Sequence, residues 1–163
     1  MTSKKLIRVR LYWMALVVAL ASFIPAFGGG FQLGVETPSS LDNEVKGAAV
    51  VVRTYGCNTP ADANVTGTAE GIVNGKRQSL PIRLTRTSKG VYVINRQWAS
   101  KGVWVLAITG HYNGITSSAL VELDPNGKMR VTKENRKGAR IVQRKLTALE
   151  IDSTLNNIAN KAI

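Results

Sequence analysis

Residues 103–123, VWVLAITGHYNGITSSALVEL, determine the predicted fold of this chain. They contain two apolar runs, 103–112 and 115–123, on either side of the dipeptide Asn113-Gly114. Asn-Gly between two strand-like runs is a strong hairpin signal, because both residues tolerate a positive φ. In the first run both alternating faces are apolar, which predicts a central strand that is covered on both sides. The stretch therefore predicts an antiparallel hairpin inside a larger sheet.

The same alternation of short apolar runs and turn residues continues outward from this hairpin. Asn74-Gly75 is a second hairpin signal, and the sequence 124–127, DPNG, predicts another tight turn. Pro81 makes the run 78–86 an edge strand or a bulged strand, because proline cannot donate to a sheet ladder. The predicted strands number about seven: 48–54, 65–73, 78–86, 91–98, 103–112, 115–123 and 129–132. This count and spacing predict an all-β sandwich or barrel over residues 45–132.

The C-terminal residues change to a helical pattern. Thr147 and Glu150 have the spacing of a capping box, and Leu146 and Ile151 occupy the positions of a hydrophobic staple. Apolar residues then recur at spacings of three and four, at Ala148, Ile151, Leu155, Ile158 and Ala162. Residues 147–163 are therefore predicted to form a short amphipathic helix.

Two glycine-aromatic segments, 90–94 (GVYVI) and 102–106 (GVWVL), are followed by Gly110. They resemble the core pattern of small secreted immunoglobulin-like modules, namely the YtkA-like and the carboxypeptidase-regulatory (transthyretin-like) domains. Residues 65–67 and Thr87 are similar to the same layout, so the resemblance spans about 65–123. It implies an antiparallel immunoglobulin-like β-sandwich of about seven strands. Some YtkA-like relatives occur near copper-handling proteins, but this chain matches none of their metal motifs.

The first 28 residues have the composition of a secretory signal peptide. Four basic residues and no acid precede the apolar stretch 11–24, which is followed by Pro25 and by glycines at 28–30. Cleavage is predicted near these glycines, and an uncleaved N-terminal anchor is the alternative. The protein is therefore predicted to be secreted or periplasmic. The predicted organisation is signal peptide 1–28, lead-in 29–44, sandwich 45–132, basic connector 133–146 and helix 147–163.

The charge of the chain favours an anionic partner. The formal net charge is +12, and removal of residues 1–28 leaves 18 basic and 10 acidic residues, a net charge of +8. Phospholipid head groups, an acidic wall polymer or an acidic protein could bind such a surface. Nucleic acid is not expected, because the protein is exported and aromatic residues do not alternate with the basic ones. The predicted contact patch comprises Lys133, Arg136, Lys137, Arg140, Arg144 and Lys145; alternatively, this segment is only a solvated connector.

Metal binding and redox chemistry depend on very few residues. One Cys and one His cannot form an internal disulfide or a structural zinc site within one chain. Convergence of His111, Cys57 and Met129 would give a copper carrier, which is the alternative function. Cys57 itself could link two copies through a disulfide, react as a free thiol, or pack as a small apolar residue.

No catalytic motif is present in the sequence. It contains no nucleophile elbow, zinc-protease motif, phosphate loop or dinucleotide fingerprint. The carboxylates Glu70, Glu122 and Asp124 are interpreted as solvated residues at a sheet rim, and His111 as a solvated turn residue. The sequence therefore predicts an exported, non-catalytic binding or accessory module with no cofactor. A small enzyme is the least favoured class.

Overall fold

Two antiparallel sheets and one α-helix form the described part of this chain. The computed structural model describes residues 30–39, 45–57, 60–131 and 138–161. The elements are β1 (Gln32–Glu36), β2 (Val50–Tyr55), a 3₁₀ turn (Pro60–Asp62), β3 (Asn64–Val73), β4 (Lys76–Pro81), β5 (Thr85–Ser88), β6 (Val91–Ile94), β7 (Val103–Tyr112), β8 (Ile115–Glu122), β9 (Ala139–Val142) and α1 (Ala148–Lys161). The first sheet has the order β1-β2-β6-β5, and the second has the order β4-β3-β7-β8-β9.

Both predicted Asn-Gly hairpins are confirmed. Asn113-Gly114 joins β7 to β8, and Asn74-Gly75 joins β3 to β4. All four turn residues have positive φ, at 46° and 76° in the first turn and 51° and 74° in the second. This backbone conformation is the one that Asn and Gly tolerate better than other residues.

The main core lies between the two sheets. On β7, Leu106 and Ile108 point inward and pack with residues of β1 and β2, including Leu33 and Val52. Trp104 also points inward, where its ring lies over Gly71 on the neighbouring strand β3. The lack of a side chain at position 71 thus makes room for the indole.

The helix α1 covers the other face of the second sheet. Its Leu155 and Ile158 are buried against Val105 of β7 and Leu120 of β8. The prediction that 103–112 forms a strand covered on both faces is confirmed by this packing. The capping box is confirmed as well, because the Thr147 amide donates to Glu150 Oε2 at 3.0 Å and the Glu150 amide donates to Thr147 Oγ1 at 3.3 Å.

The predicted strand 78–86 is wrong as a single element. The chain forms β4 up to Pro81, crosses between the sheets, and forms β5 from Thr85. The Ile82 amide donates to the Gly67 carbonyl at 3.1 Å, and the Ile82 side chain enters the core. Pro81 is the last residue of an edge strand, so its missing N–H costs the sheet no hydrogen bond.

The count of about seven strands is also too low, since nine strands are present in the described residues. The predicted strand 129–132 is wrong over its described part, where Met129 makes only an isolated bridge to Leu123. Two short strands that were not predicted, β1 and β9, lie in the lead-in 29–44 and in the connector 133–146. Four or five residues of mixed polarity carry too weak a pattern to be recognised as strands.

The antiparallel pairing gathers the connections at two ends of the domain. The lower pole contains the β1–β2, β3–β4, β6–β7 and β8–β9 connections. The upper pole contains the β2–β3, β5–β6 and β7–β8 connections and the start of α1. Within the described ranges no helix is long and apolar enough to cross a membrane. The predicted signal peptide, 1–28, lies outside these ranges.

We expect Gly71→Ala to lower the free energy of unfolding by about 2 kcal/mol, as overpacking of a core commonly does. A Cβ at position 71 would lie 2.4 Å from the Trp104 ring, which cannot yield without moving a buried indole. Gly67→Ala is the matched control, because its nearest neighbour is the flexible end of Ile82 at 2.9 Å. Urea denaturation of both variants measures the losses. Equal losses would contradict this account of the Trp104–Gly71 contact.

Candidate anion-binding surfaces

The predicted basic patch contains an internal ion-pair cluster centred on Glu150. Arg144 binds both carboxylate oxygens through two bonds of 2.8 Å, and Arg140 Nη2 lies 3.1 Å from Glu150 Oε1. These contacts lower the pKa of Glu150 far below its usual range, mainly through the hydrogen bonds from Arg144 and then through the Thr147 amide. Arg140 and Arg144 therefore share one carboxylate, and the three-residue cluster keeps one net positive charge.

The other members of the predicted patch differ in their placement. Lys145 is exposed and lines a cavity on the outer face of the second sheet. Lys133, Arg136 and Lys137 lie outside the described residues, between Val131 and Gly138. The structure thus brings three patch residues to the region around the start of α1, and two of them, Arg140 and Arg144, are exposed but paired with Glu150.

A second group of cations, which the sequence interpretation did not single out, lies at the lower pole. Its members are exposed and lie in three connections of that pole or, for Lys76, at the start of β4 beside the fourth: Lys46, Lys76, Arg96, Lys101 and Lys128. None of the five has a carboxylate partner among the residues that the structure describes. They will be called the lower-pole cations.

Three contacts hold the connections of the lower pole together. Lys46 and Lys128 line the same cavity, which has a volume of about 420 Å³. The Arg96 guanidinium donates to the Asn126 carbonyl at 3.1 Å and thereby joins the β6–β7 and β8–β9 connections. Gly102 packs against the end of β3, since a Cβ there would lie 2.4 Å from the Ile72 carbonyl oxygen. The connections that carry the lower-pole cations are thus in contact at one end of the domain.

The described carboxylates near this pole are directed elsewhere. Glu36 accepts hydrogen bonds from Arg53 at 3.0 Å and from the Tyr55 hydroxyl at 2.9 Å. Asp124 accepts a bond from the Lys128 backbone amide at 2.8 Å and so closes its own turn. Glu122 lines a cavity with Arg140 on the outer face of the second sheet. Among the described residues, the five lower-pole cations thus outnumber the three nearby carboxylates.

One feature of the sequence could have revealed three of these cations, Lys76, Arg96 and Lys101. Between Glu70 and Glu122 there is no acidic residue, and the intervening basic residues are Lys76, Arg77, Arg83, Arg86, Lys89, Arg96 and Lys101. The seven are spread over five elements and their connections, so they form no contiguous basic run. Only Arg77 among them has a carboxylate partner in the described structure, because it binds Glu70 at 2.8 Å and Asp152 at 3.0 Å.

The three residues of the copper alternative are not brought together. His111 pairs with Thr116 at one end of β8, whereas Met129 is bridged to Leu123 beyond the other end. Seven residues of strand separate these two positions, which corresponds to about 20 Å. Cys57 is exposed and follows β2 in the first sheet. Among the described residues there is also no cluster of three or more His, Cys, Asp or Glu that could hold a metal ion.

The remaining candidate residues have structural partners. Glu70 is buried on β3, so its interpretation as a solvated residue is wrong; it accepts hydrogen bonds from Arg77 and Ser79, each at 2.8 Å. His111 Nδ1 lies 2.9 Å from Thr116 Oγ1 on the outer face of the second sheet. Cys57 is exposed, so the interpretation of this residue as a small buried apolar group is wrong. A disulfide-linked dimer through Cys57 stays a prediction.

Comparison of the chain with protein families, with characterised proteins and with solved structures gives no match. The surfaces of this antiparallel two-sheet domain are therefore interpreted from its own residues.

We expect Glu150→Gln to lower the thermal stability at pH 7, because the variant loses the charge that binds Arg140 and Arg144. A carboxylate with a lowered pKa stabilises the folded state above its unfolded pKa, here about 4.5, and this contribution is lost as the pH falls toward the folded value. The difference in melting temperature between the wild type and the variant should therefore shrink below pH 4.5. Thermal melts from pH 7 to pH 2 measure it.

Asp62→Asn is the charge-matched control for this series, since Asp62 is exposed and lies in the 3₁₀ turn. It should change the melting temperature little at any pH. A Glu150→Gln deficit that stays constant down to pH 2 would contradict the role given to the ionised carboxylate.

Proposed function

We propose that this protein is an exported, non-catalytic binding module of immunoglobulin-like architecture, whose lower pole binds an anionic polymer of the cell envelope. The supporting observation is the convergence of the lower-pole cations on one surface without carboxylate partners among the described residues. A cation that has no internal partner can attract a polyanion without first giving up an ion pair. Export follows from the predicted signal peptide, 1–28.

A flexible polymer fits this surface better than a flat bilayer does. Lys46 and Lys128 line a cavity of about 420 Å³, and a chain with discrete anionic groups can enter a concave site that a planar surface cannot. The chain also enters β1 at the upper pole, where Phe31 packs against Gly110. If the N-terminal segment stays as an anchor, its membrane would be nearest to the upper pole and far from the lower-pole cations.

The binding mechanism is electrostatic rather than geometric. Four of the five lower-pole cations are lysines, whose ammonium groups act as flexible point charges and impose little directionality on an anion. Such a surface suits a polymer with repeated phosphate or carboxylate groups, and its affinity should fall as salt screens the charges. Lys133, Arg136 and Lys137 follow Lys128 in the same β8–β9 connection and remain predicted contacts.

Replacement of Lys46, Lys101 and Lys128 by Gln tests this proposal. Each basic side chain near an anionic surface contributes about 1 kcal/mol, so the triple variant should bind inorganic polyphosphate at least about tenfold more weakly at low salt. Its affinity should also depend less steeply on salt. Fluorescence anisotropy of labelled polyphosphate, at several salt concentrations, measures both effects.

The matched control replaces Arg86, Lys89 and Lys145, which are exposed and lie on β5, in the β5–β6 turn and just before α1, away from the lower pole. This variant loses the same net charge but should keep most of its affinity for polyphosphate. Equal losses in the two variants would contradict a local site and indicate an effect of net charge alone. Tighter binding to phosphatidylglycerol vesicles than to polyphosphate would indicate that the partner is a membrane. Tighter binding to polyglutamate would indicate an acidic protein.

A further inference from the structure

The outer face of the second sheet carries a block of polar side chains at its upper end. The strand register places these residues in two rows that cross β3, β7 and β8. One row contains Thr66, Thr109 and Ser118, and the other contains Asn64, His111 and Thr116. Direct neighbours across such strands lie about 5 Å apart, so the six side chains form a continuous surface of hydrogen-bonding groups. They will be called the polar rows.

The helix α1 leaves part of the polar rows uncovered and provides a wall beside them. Val105 and Leu120, further along the same face, are buried under the helix. Toward the upper pole the helix begins, and Leu146 and Ile151 border a cavity of about 300 Å³ together with Thr66, Thr109 and His111. This volume is at the lower end of the range for small-molecule sites, about 300–1,000 Å³.

Lys145 gives this cavity its charge. The Arg144 guanidinium donates to the Lys145 carbonyl at 3.0 Å, so the backbone that presents Lys145 is held by the Glu150 cluster. Glu150 is already bound by Arg140, Arg144 and Thr147, and no carboxylate lines the cavity in the described structure. Lys145 thus has no ion-pair partner among the described residues.

We infer that this cavity, which will be called the His111 cavity, binds a small ligand that joins a phosphate group to an apolar body. The hydroxyls of Thr66, Thr68 and Thr109 and the ammonium of Lys145 approach it from different elements and suit a tetrahedral oxyanion. His111 Nδ1 is engaged with Thr116, which leaves Nε2 as the ring atom available to a ligand.

The apolar part of the ligand is expected to lie against the helix. Leu146 and Ile151 form the apolar wall of the cavity, and Ala107 lies at its base on β7. Inorganic phosphate should therefore bind weakly, and a phosphate monoester with an apolar group should bind more tightly because it buries surface against these side chains. A ligand without the anion would lack the contact to Lys145.

Titration of the isotope-labelled protein by NMR tests this assignment at constant ionic strength. The probes are inorganic phosphate, phenyl phosphate, benzoate and phenol. We expect phenyl phosphate to shift the His111 ring signals and the amides of Thr66, Thr109 and Lys145, with an affinity above that of phosphate and at least tenfold above that of phenol. Benzoate that binds as tightly as phenyl phosphate would overturn the preference for phosphate over carboxylate.

Lys145→Gln should weaken the binding of phenyl phosphate at least about tenfold. Thr66→Val should weaken the binding severalfold, because it removes one hydroxyl. Lys89→Gln is the matched control, because Lys89 is exposed at the same pole but does not line the cavity. Equal affinities of the Lys145 and Lys89 variants would overturn the inference. So would the absence of saturable shifts around the cavity, which is the result expected for an ordinary solvated sheet face.

The outcome is separable from that of the proposed function. The Lys145 variant keeps Lys46, Lys101 and Lys128, so it should still bind polyphosphate, whereas the lower-pole triple variant should still bind phenyl phosphate. If phenyl phosphate shifts only signals at the lower pole, the assignment of a ligand to the His111 cavity is wrong. The proposal that the lower-pole cations bind an anion would still stand.

Discussion

The carboxylate of Glu150 connects three consecutive parts of the chain. It binds Arg140 on β9, Arg144 in the β9–α1 link, and the amide and hydroxyl of Thr147 at the start of α1. These bonds fix where the helix starts and keep it on the outer face of the second sheet. Val105 and Leu120 are buried as a result. Without the helix, this sheet would expose an apolar face next to an edge strand, which is an arrangement prone to aggregation.

The same cluster divides the basic residues into two functional groups. Arg140 and Arg144 share the Glu150 carboxylate and help to hold the helix, whereas the lower-pole cations have no described carboxylate partner. A net charge of +12 therefore says less about this protein than the location of its unpaired charges does. Long-range attraction depends on the net charge, but the place where a polyanion settles depends on the local excess.

Much of the fold could be predicted from local sequence patterns. The hairpins at Asn74-Gly75 and Asn113-Gly114 and the capping box at Thr147 depend on residues that are adjacent or three apart, so one short window contains the whole signal. The strands β1 and β9 could not be predicted, because four or five residues of mixed polarity become strands only by pairing with distant partners. The split of 78–86 between two sheets is likewise a tertiary effect, in which Ile82 is drawn into the core.

The candidate sites were less predictable than the fold. The run 133–146 has a basic composition, yet two of its three arginines, Arg140 and Arg144, pair with Glu150 in the following helix, which a count over the run does not include. The lower-pole cations are far apart in sequence and meet only because antiparallel strands return their connections to one end. Similarly, Lys145 and His111 line one cavity although 34 positions separate them in sequence. The acid-free stretch between Glu70 and Glu122 indicates unpaired charge in the sequence, but it contains only three of the lower-pole cations and omits Lys46 and Lys128.

The central claim is that a polyanion binds at the lower pole rather than wherever the protein is basic. NMR chemical-shift mapping of the labelled protein with inorganic polyphosphate, at low and at high salt, tests it most directly. We expect salt-sensitive shifts of the amides around Lys46, Lys101 and Lys128, with little change around Arg86, Lys89 and Lys145. Shifts spread evenly over both groups, or confined to the residues near Arg140 and Arg144, would contradict the claim.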